Sequence, residues 1–132
     1  MDIVYSTGKA VPPEQIIALH KACNYSAWWS ERNVRAMLDH VHTLVTAWQG
    51  DQLVGTVGVV SDGVNYAHID DLMVHPSHRG KGIGSEMMRR ALQAIEPLGL
   101  RFVQLIPIPG RESFFARLGF RIVADHKVME LP

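Results

Sequence analysis

Apolar residues recur at helical spacing in several stretches of the chain. The clearest stretch covers residues 83–95, where apolar side chains fall at i, i+4, i+8, i+9 and i+12 and Pro97 follows as a helix stop. Two short helices are predicted before it, over residues 13–24 and 31–40, and a further short helix is predicted over residues 112–118.

Between these helices the pattern changes to runs rich in Val, Leu and Thr that are typical of strands. Gly50-Asp51 separates two such runs and signals a hairpin. We predict strands over residues 3–5, 43–49, 52–61, 66–74 and 101–106, with a final strand or hairpin over 120–131.

The predicted order β-α-α-β-β-β-α-β-α-β combines an antiparallel meander with one strand-helix-strand unit. A right-handed crossover makes the two strands of that unit parallel. We therefore expect an α+β fold with a mixed, mostly antiparallel sheet flanked by helices. A chain of 132 residues is long enough for one core, so we expect one domain over residues 1–132.

The balance of acidic and basic residues bears on whether the chain binds polyanions. Thirteen basic and thirteen acidic residues cancel, which gives no overall field that favours nucleic acid or an anionic membrane. The longest markedly apolar stretch, residues 53–60, is far short of a membrane helix, and the N-terminus does not resemble a secretory signal. Cys23 is expected to be a buried, inert thiol. Together these features favour a soluble, cytoplasmic protein.

A glycine-rich loop precedes the clearest helix and carries the most informative chemistry. Gly80, Gly82 and Gly84 remove side chains where the helix begins, so its amides are open to an anion. Arg79 and Lys81 add positive charge there. A merely tight turn requires neither three glycines nor two cations, and we expect the loop to hold two linked phosphates.

Other phosphate-binding loops do not fit this sequence. A Walker loop needs G-x-x-x-x-G-K-[ST], and no glycine of the chain stands in that spacing. The dinucleotide fingerprint G-x-G-x-x-G opens a first strand-helix-strand unit, whereas here Gly80-Lys81-Gly82 comes after a meander and is followed by Gly84.

Two segments resemble the motifs of the GNAT superfamily of N-acetyltransferases. Residues 72–84 fill every fixed position of its signature, L-x-V-x-P-x-x-[RQ]-G-x-G-[IVL]-G, and residues 114–120 are similar to its second motif, an aromatic pair before Gly-Phe. The resemblance implies the GNAT fold with a splayed pair of parallel strands, and acetyl-CoA as co-substrate.

The resemblance also implies a role for each residue of the coenzyme site. The backbone of Leu72, Met73 and Val74 would pair with the pantetheine arm like an added strand, and a backbone N–H near Val74 could stabilise the oxyanion. The pyrophosphate would lie on Arg79, Gly80, Lys81, Gly82, Ile83, Gly84 and Ser85. Phe115 stands where many members carry the tyrosine that protonates the departing thiolate. Phenylalanine cannot supply that proton, so Tyr66, Tyr25 or water would have to replace it.

The attacking amine must lose a proton, and three side chains near the end of the third meander strand are candidates for the base. They are His68, Asp70 and Asp71. Strand alternation places His68 and Asp70 on one face and Asp71 on the other unless a bulge intervenes. Asp71 could equally cap or form an ion pair, Asp70 could anchor an ammonium group, and His68 could be a packed core residue.

The segment between the first two helices usually lines the acceptor site in this family, which implies that Tyr25, Trp28 and Trp29 bind the substrate. The alternative is that the two tryptophans pack against the core or a second subunit of a homodimer. The remaining histidines show no ligand spacing, and no metal is expected.

We expect an enzyme that moves acetyl from acetyl-CoA to a primary amine of a small molecule by direct attack. A covalent cysteine mechanism would need Cys23 beside the thioester, and its position in the first helix argues against that. The alternatives are a non-catalytic acyl-CoA sensor, which Phe115 favours, and acetylation of protein lysines or N-termini.

Overall fold

The computed structural model describes residues 2–25 and 27–132. Its helices are α1 Pro13–Ala22, α2 Glu31–His40, α3 Ile83–Ile95 and α4 Glu112–Ala116. Its strands are β1 Val4–Thr7, β2 Thr43–Gln49, β3 Gln52–Ser61, β4 Tyr66–Val74 and β5 Phe102–Gln104. The bounds of β2, β3, β4 and α3 match those predicted from the sequence.

Local sequence explains where the helices begin. Pro13 occupies the first position of α1, where its fixed φ is suitable and its missing N–H costs nothing. The Ser30 hydroxyl accepts a hydrogen bond from the Asn33 amide at 3.2 Å and caps α2.

The five strands form one sheet in the order β1-β2-β3-β4-β5. The first four strands are antiparallel neighbours, and β5 pairs in parallel with β4. The parallel pairing joins only Tyr66–His68 to Phe102–Gln104, although β4 continues to Val74. The mixed α+β sheet and the splayed parallel pair of the GNAT fold are therefore confirmed.

Each face of the sheet is covered by helices. On one face α3 buries Met87, Met88 and Ala91 against the central strands, and on the other α1 and α2 enclose a second apolar cluster that includes Ile16 and Val34. The close approach of α3 requires Gly55 on β3, because a Cβ there would lie 2.8 Å from the Met87 Cε atom. The two clusters fix the central strands between rigid layers.

The predicted final strand is wrong. Residues 120–132 form neither helix nor strand, and nearly all of them are exposed. Their backbone contacts are local, such as the Phe120 amide to the Phe115 carbonyl at 3.2 Å. A strand needs a hydrogen-bonded neighbour, and β5 itself is only three residues long. Strand β5 and helix α4 are also shorter than predicted. No helix among the described residues has the length and apolar composition needed to cross a membrane.

Candidate active site

The loop between β4 and α3 leaves backbone amides accessible. Gly80 and Gly82 have positive φ angles of 76° and 81°, and no atom lies within 4 Å of the position that a Cβ would take at either residue. Gly82 caps α3, and its carbonyl accepts the Glu86 amide at 3.1 Å. The amides of the preceding turn have no acceptor within the helix and can donate to an anion.

The side chains of the loop divide into exposed polar groups and a buried anchor. Arg79, Lys81 and Ser85 are exposed, so their charges and hydroxyl can reach a bound phosphate. Ile83 is 2% exposed and packs in the core beneath α3. Ile83 can therefore contribute its amide to a ligand, while its side chain holds the helix in place.

Hydrogen bonds fix the start of the loop to the β2–β3 hairpin. The buried His78 ring lies 2.8 Å from the Gln49 side-chain oxygen, and the Ser77 hydroxyl lies 2.8 Å from the Nδ1 atoms of both His75 and His78. Sequence analysis missed this anchor because Gln49 is 29 residues from His78 and no spacing rule connects them.

Strand β4 presents an unpaired edge next to the loop. Beyond His68, β4 has no partner strand on the side of β5. The side chains of Leu72 and Val74 pack toward α3, whereas Met73 is buried in the cluster under α1 and α2. The Arg79 guanidinium donates to the Val74 carbonyl at 3.0 Å. Loop and strand edge are therefore contiguous, as a site for an extended coenzyme requires.

A β-bulge brings two carboxylates to one side of β4. Gly58 pairs with Asp70 and Thr56 with Met73, so Asp71 and Leu72 both stand opposite Val57. Asp71 has a positive φ of 53°, which is uncommon outside glycine. The alternation that would separate Asp70 from Asp71 does not hold, because the bulge intervenes and both residues line the same cavity.

The electrostatics of the pair differ from those of free carboxylates. Burial, and then the neighbouring charge of Asp70, raise the pKa of Asp71 from 3.8 to about 6. The Asp70 side chain accepts the Asp71 amide at 2.9 Å and is exposed. Asp71 can therefore take up a proton near neutral pH, which is the range that suits a general base.

The cavity beside these carboxylates lies between the sheet and helices α1 and α2. Its volume is about 250 Å³. Its walls are mostly apolar, and its polar lining includes Asp70, Asp71 and His20. The apolar lining comes from Ile16, Trp29, Met37, Val41, Leu44, Val60 and Met73. Such a cavity suits a small organic molecule with one basic end.

The three aromatic residues expected at the acceptor site have different positions. Trp29 lines the cavity, and Trp28 is 65% exposed with its ring edge-on to Trp29 at 5.0 Å. Tyr25 lies close enough to the carboxylates to be affected by them. Burial, and then the charges of Asp71, Cys23 and Asp70, raise the pKa of its phenol, while Arg79 opposes them. Neither Trp28 nor Tyr25 is among the residues that line the cavity.

Two further predictions concern His68 and Cys23. His68 lies half-buried on β4 opposite Gln104 and is not part of the cavity lining. Cys23 is half-buried, and its thiol lies 3.6 Å from the Val74 carbonyl and 3.7 Å from the Arg79 guanidinium. The end of α1 therefore places the Cys23 thiol beside β4, which its position in the first helix did not suggest.

Phe115 contributes an apolar ring to the site region. It contacts Phe114 edge-on at 5.0 Å and Phe120 at 6.2 Å, and it packs against the core cluster beneath α3. The Phe114 ring in turn lies 3.6 Å from the Cβ position of Gly84. The second motif thus covers the start of α3 with aromatic surface and offers no acidic proton there.

Within residues 2–25 and 27–132, no three His, Cys, Asp or Glu side chains converge in a way that could hold a metal ion.

Comparisons with known proteins agree with this geometry. Residues 13–120 match the family described as Acetyltransferase (GNAT) family. An uncharacterized N-acetyltransferase, ycf52-like, from Prochlorococcus marinus is 33% identical over 104 residues, which are 74% of this chain and 58% of that protein. The chain thus spans less than two thirds of this relative's length.

Solved structures show the same fold. A GNAT family acetyltransferase from Streptococcus pneumoniae TIGR4 superposes with a TM-score of 0.86 at 28% identity, covering 99% of this chain and 98% of that one. A GNAT family acetyltransferase from Brucella melitensis, solved in complex with acetyl-CoA, superposes with a TM-score of 0.68 at 19% identity over 92% and 84% of the two chains. The glycine loop, the splayed strands and the match over most of its length establish that the chain belongs to the GNAT acetyltransferase family.

Proposed function

We propose that the chain transfers an acetyl group from acetyl-CoA to a primary amine of a small molecule by direct attack. The observation that carries the proposal is the position of Asp71. Its carboxylate, with a pKa raised to about 6, lines a cavity of about 250 Å³ at the bulge of β4, beyond the residues that pair with β5. The coenzyme loop follows the same strand, and the Brucella relative was solved with acetyl-CoA.

Each step has a residue that suits it. Asp70 attracts the ammonium group of the acceptor, and Asp71 takes the proton that the amine loses. The amine nitrogen then bonds to the thioester carbonyl carbon while a backbone N–H near Val74 donates to the oxyanion. The nitrogen gives up its second proton to water, the carbon–sulfur bond breaks to leave the amide, and the coenzyme departs as a thiolate.

The thiolate must then be protonated. Phe115 cannot do this, so Tyr25 or water supplies the proton. Burial raises the pKa of the Tyr25 phenol above its ordinary value, so the phenol is protonated at neutral pH but is a weaker acid than a free tyrosine. A thiol with a pKa of about 8.5 is a tolerable leaving group, which makes strong acid catalysis unnecessary.

Two other functions remain as alternatives. The apolar Phe115 favours a sensor that binds acyl-CoA without turnover. Acetylation of protein lysines or N-termini would need room for a polypeptide, and the small volume of the cavity favours a small amine instead. Acetyl-CoA binding measured by calorimetry, followed by thiol release as amines are added, separates the three. Binding with no release across the amine panel supports a sensor, and release with peptides only supports protein acetylation.

We also propose that the protein acts in the cytoplasm as a homodimer. Apolar side chains of the C-terminal segment, including Ile122, Val128 and Leu131, are exposed. A second copy could cover this surface. Light scattering after size exclusion tests the dimer, and a mass of one chain would contradict it.

A further inference from the structure

His20 is a buried histidine whose ring nitrogens have no partner. It is 2% exposed, and neither Nδ1 nor Nε2 makes a hydrogen bond. Among the residues that the structure describes, no other buried side chain leaves a nitrogen or oxygen unpaired in this way. Buried polar groups in folded proteins almost always have partners, so this exception needs an explanation.

Packing holds the His20 ring in place. The ring contacts Tyr25 and Trp29, with centroid distances of 5.4 Å and 4.7 Å, near the end of α1. Burial lowers the pKa of His20, so the imidazole is neutral near neutral pH. A neutral imidazole offers one N–H donor and one nitrogen acceptor.

The unpaired ring lines the same cavity as the two carboxylates. Leaving a buried donor or acceptor without a partner is costly. Both ring nitrogens are buried, so a molecule in the cavity reaches one of them when the adjacent Trp29 ring shifts, and a hydrogen bond formed there removes that cost. The apolar walls disfavour a second charge on such a molecule, because a charge buried without a counter-ion is expensive. A neutral hydroxyl fits, since it can both donate and accept.

The volume limits the size of the occupant. A cavity of about 150 Å³ holds one benzene molecule. The cavity here, at about 250 Å³, has room for a body of one ring or a short chain that bears one polar group and one amine.

We propose that His20 is a specificity determinant that selects amines carrying a hydroxyl group on a compact apolar body. The hydroxyl bonds to the His20 ring while the amine lies at Asp70 and Asp71. This inference rests on the proposed function, because it concerns the acceptor of the same transfer.

The test compares amines that differ only in hydroxyl against methyl. One pair is 5-aminopentan-1-ol and hexylamine, and the other is tyramine and its 4-methyl isostere. We expect the hydroxylated member of the better-fitting pair to have a kcat/KM about 10- to 100-fold higher in the unchanged protein. His20→Leu should bring that ratio close to one, and His20→Gln, which keeps a donor and an acceptor, should retain part of it.

Met37→Leu serves as the matched control, because Met37 lines the cavity without a hydrogen-bonding group. The ratio of kcat/KM for the hydroxylated amine to kcat/KM for its isostere should be the same in this variant as in the unchanged protein. If His20→Leu does not fold, the ¹⁵N signals of the His20 ring in the unchanged protein provide a second measurement. They should shift with the hydroxylated amine and stay in place with the isostere.

The outcomes separate the two proposals. Thiol release with equal kcat/KM for both members of each pair, or a hydroxyl preference that survives His20→Leu, overturns the role of His20 and leaves the transferase intact. No thiol release with any amine, while acetyl-CoA still binds, overturns the proposed transfer to small amines, and the role of His20 with it.

Discussion

Replacement of Asp71 by asparagine should stabilise the folded chain at neutral pH and slow acetyl transfer. The pKa of Asp71 is raised from 3.8 to about 6, so the folded state holds this proton more tightly than the unfolded state. The contribution of Asp71 to stability is therefore most favourable below about pH 4 and is lost as the pH rises through about 6. Asparagine mimics the protonated form and avoids this loss. It also tolerates the positive φ of 53°.

The magnitude follows from the size of the shift. About two pKa units correspond to about 3 kcal/mol above the folded pKa, and to less than about 1 kcal/mol near pH 4. For a domain of this length about 1 kcal/mol changes Tm by about 4 °C, so Asp71→Asn should raise Tm by about 10 °C at about pH 7.5.

Thermal unfolding at about pH 4 and about pH 7.5 measures this difference, with the exposed Asp39→Asn on α2 as a control for a change of one charge. An equal effect of Asp71→Asn at both pH values, or a lower Tm at neutral pH, would refute the linkage argument. In the same samples kcat/KM for amines should fall by about 10²- to 10⁴-fold near neutral pH. The deficit should shrink at high pH, where the amine loses its proton unaided. His68→Gln belongs in this series, because a comparable loss there would identify His68 as the base.

Three further substitutions test other parts of the site. Gly82→Asp should abolish acetyl-CoA binding in calorimetry, because it places a carboxylate at the phosphates. Gly99→Asp is the control: Gly99 also has a positive φ but lies away from the loop, so this variant should bind acetyl-CoA normally. Unchanged affinity of Gly82→Asp would contradict the loop assignment. Asp70→Asn should raise the KM for amines about 10-fold and leave acetyl-CoA affinity unchanged, and an unaltered amine rate between about pH 6 and 9 would rule Asp70 out. Phe115→Tyr should raise kcat about 10-fold if thiolate protonation limits the rate, and an unchanged kcat would show that water or Tyr25 suffices.

The elements that sequence predicted well are those fixed by short-range patterns. Gly50-Asp51 forms the turn between β2 and β3. The five apolar residues of α3 lie on one face of the helix at regular spacing. Both features can be recognised from neighbouring residues alone. The glycine loop is similarly local, since the amides proposed to bind phosphate belong to consecutive residues. Residues 120–131 carry a strand-like pattern too, but a strand exists only if another strand accepts its hydrogen bonds, and the structure provides none.

The geometry of the two carboxylates was harder to predict because it depends on pairing between strands. Nothing in Asp70-Asp71-Leu72 shows that two residues face Val57 on β3, yet this bulge decides that both carboxylates line one cavity. His20 fits the apolar stripe of α1 and looks like an ordinary core position. Its significance lies in the hydrogen bonds it lacks, which only the fold reveals.

The residues around the cavity share a property that bears on what the cavity is for. Asp71 has a positive φ and a raised pKa. His20 has two unpaired ring nitrogens, and part of β4 has no partner strand on one side. Each of these features lowers the stability of the folded chain. Independent packing defects would be scattered over the fold, whereas these lie along one cavity and one strand. His20→Leu, like Asp71→Asn, should therefore raise stability, by about 1–3 kcal/mol, because it removes unsatisfied polar atoms. If function requires these losses of stability, His20→Leu should gain stability and lose discrimination between acceptors, and Asp71→Asn should gain stability and lose rate. A stabilised His20→Leu with unaltered transfer would instead make the unpaired ring a packing defect.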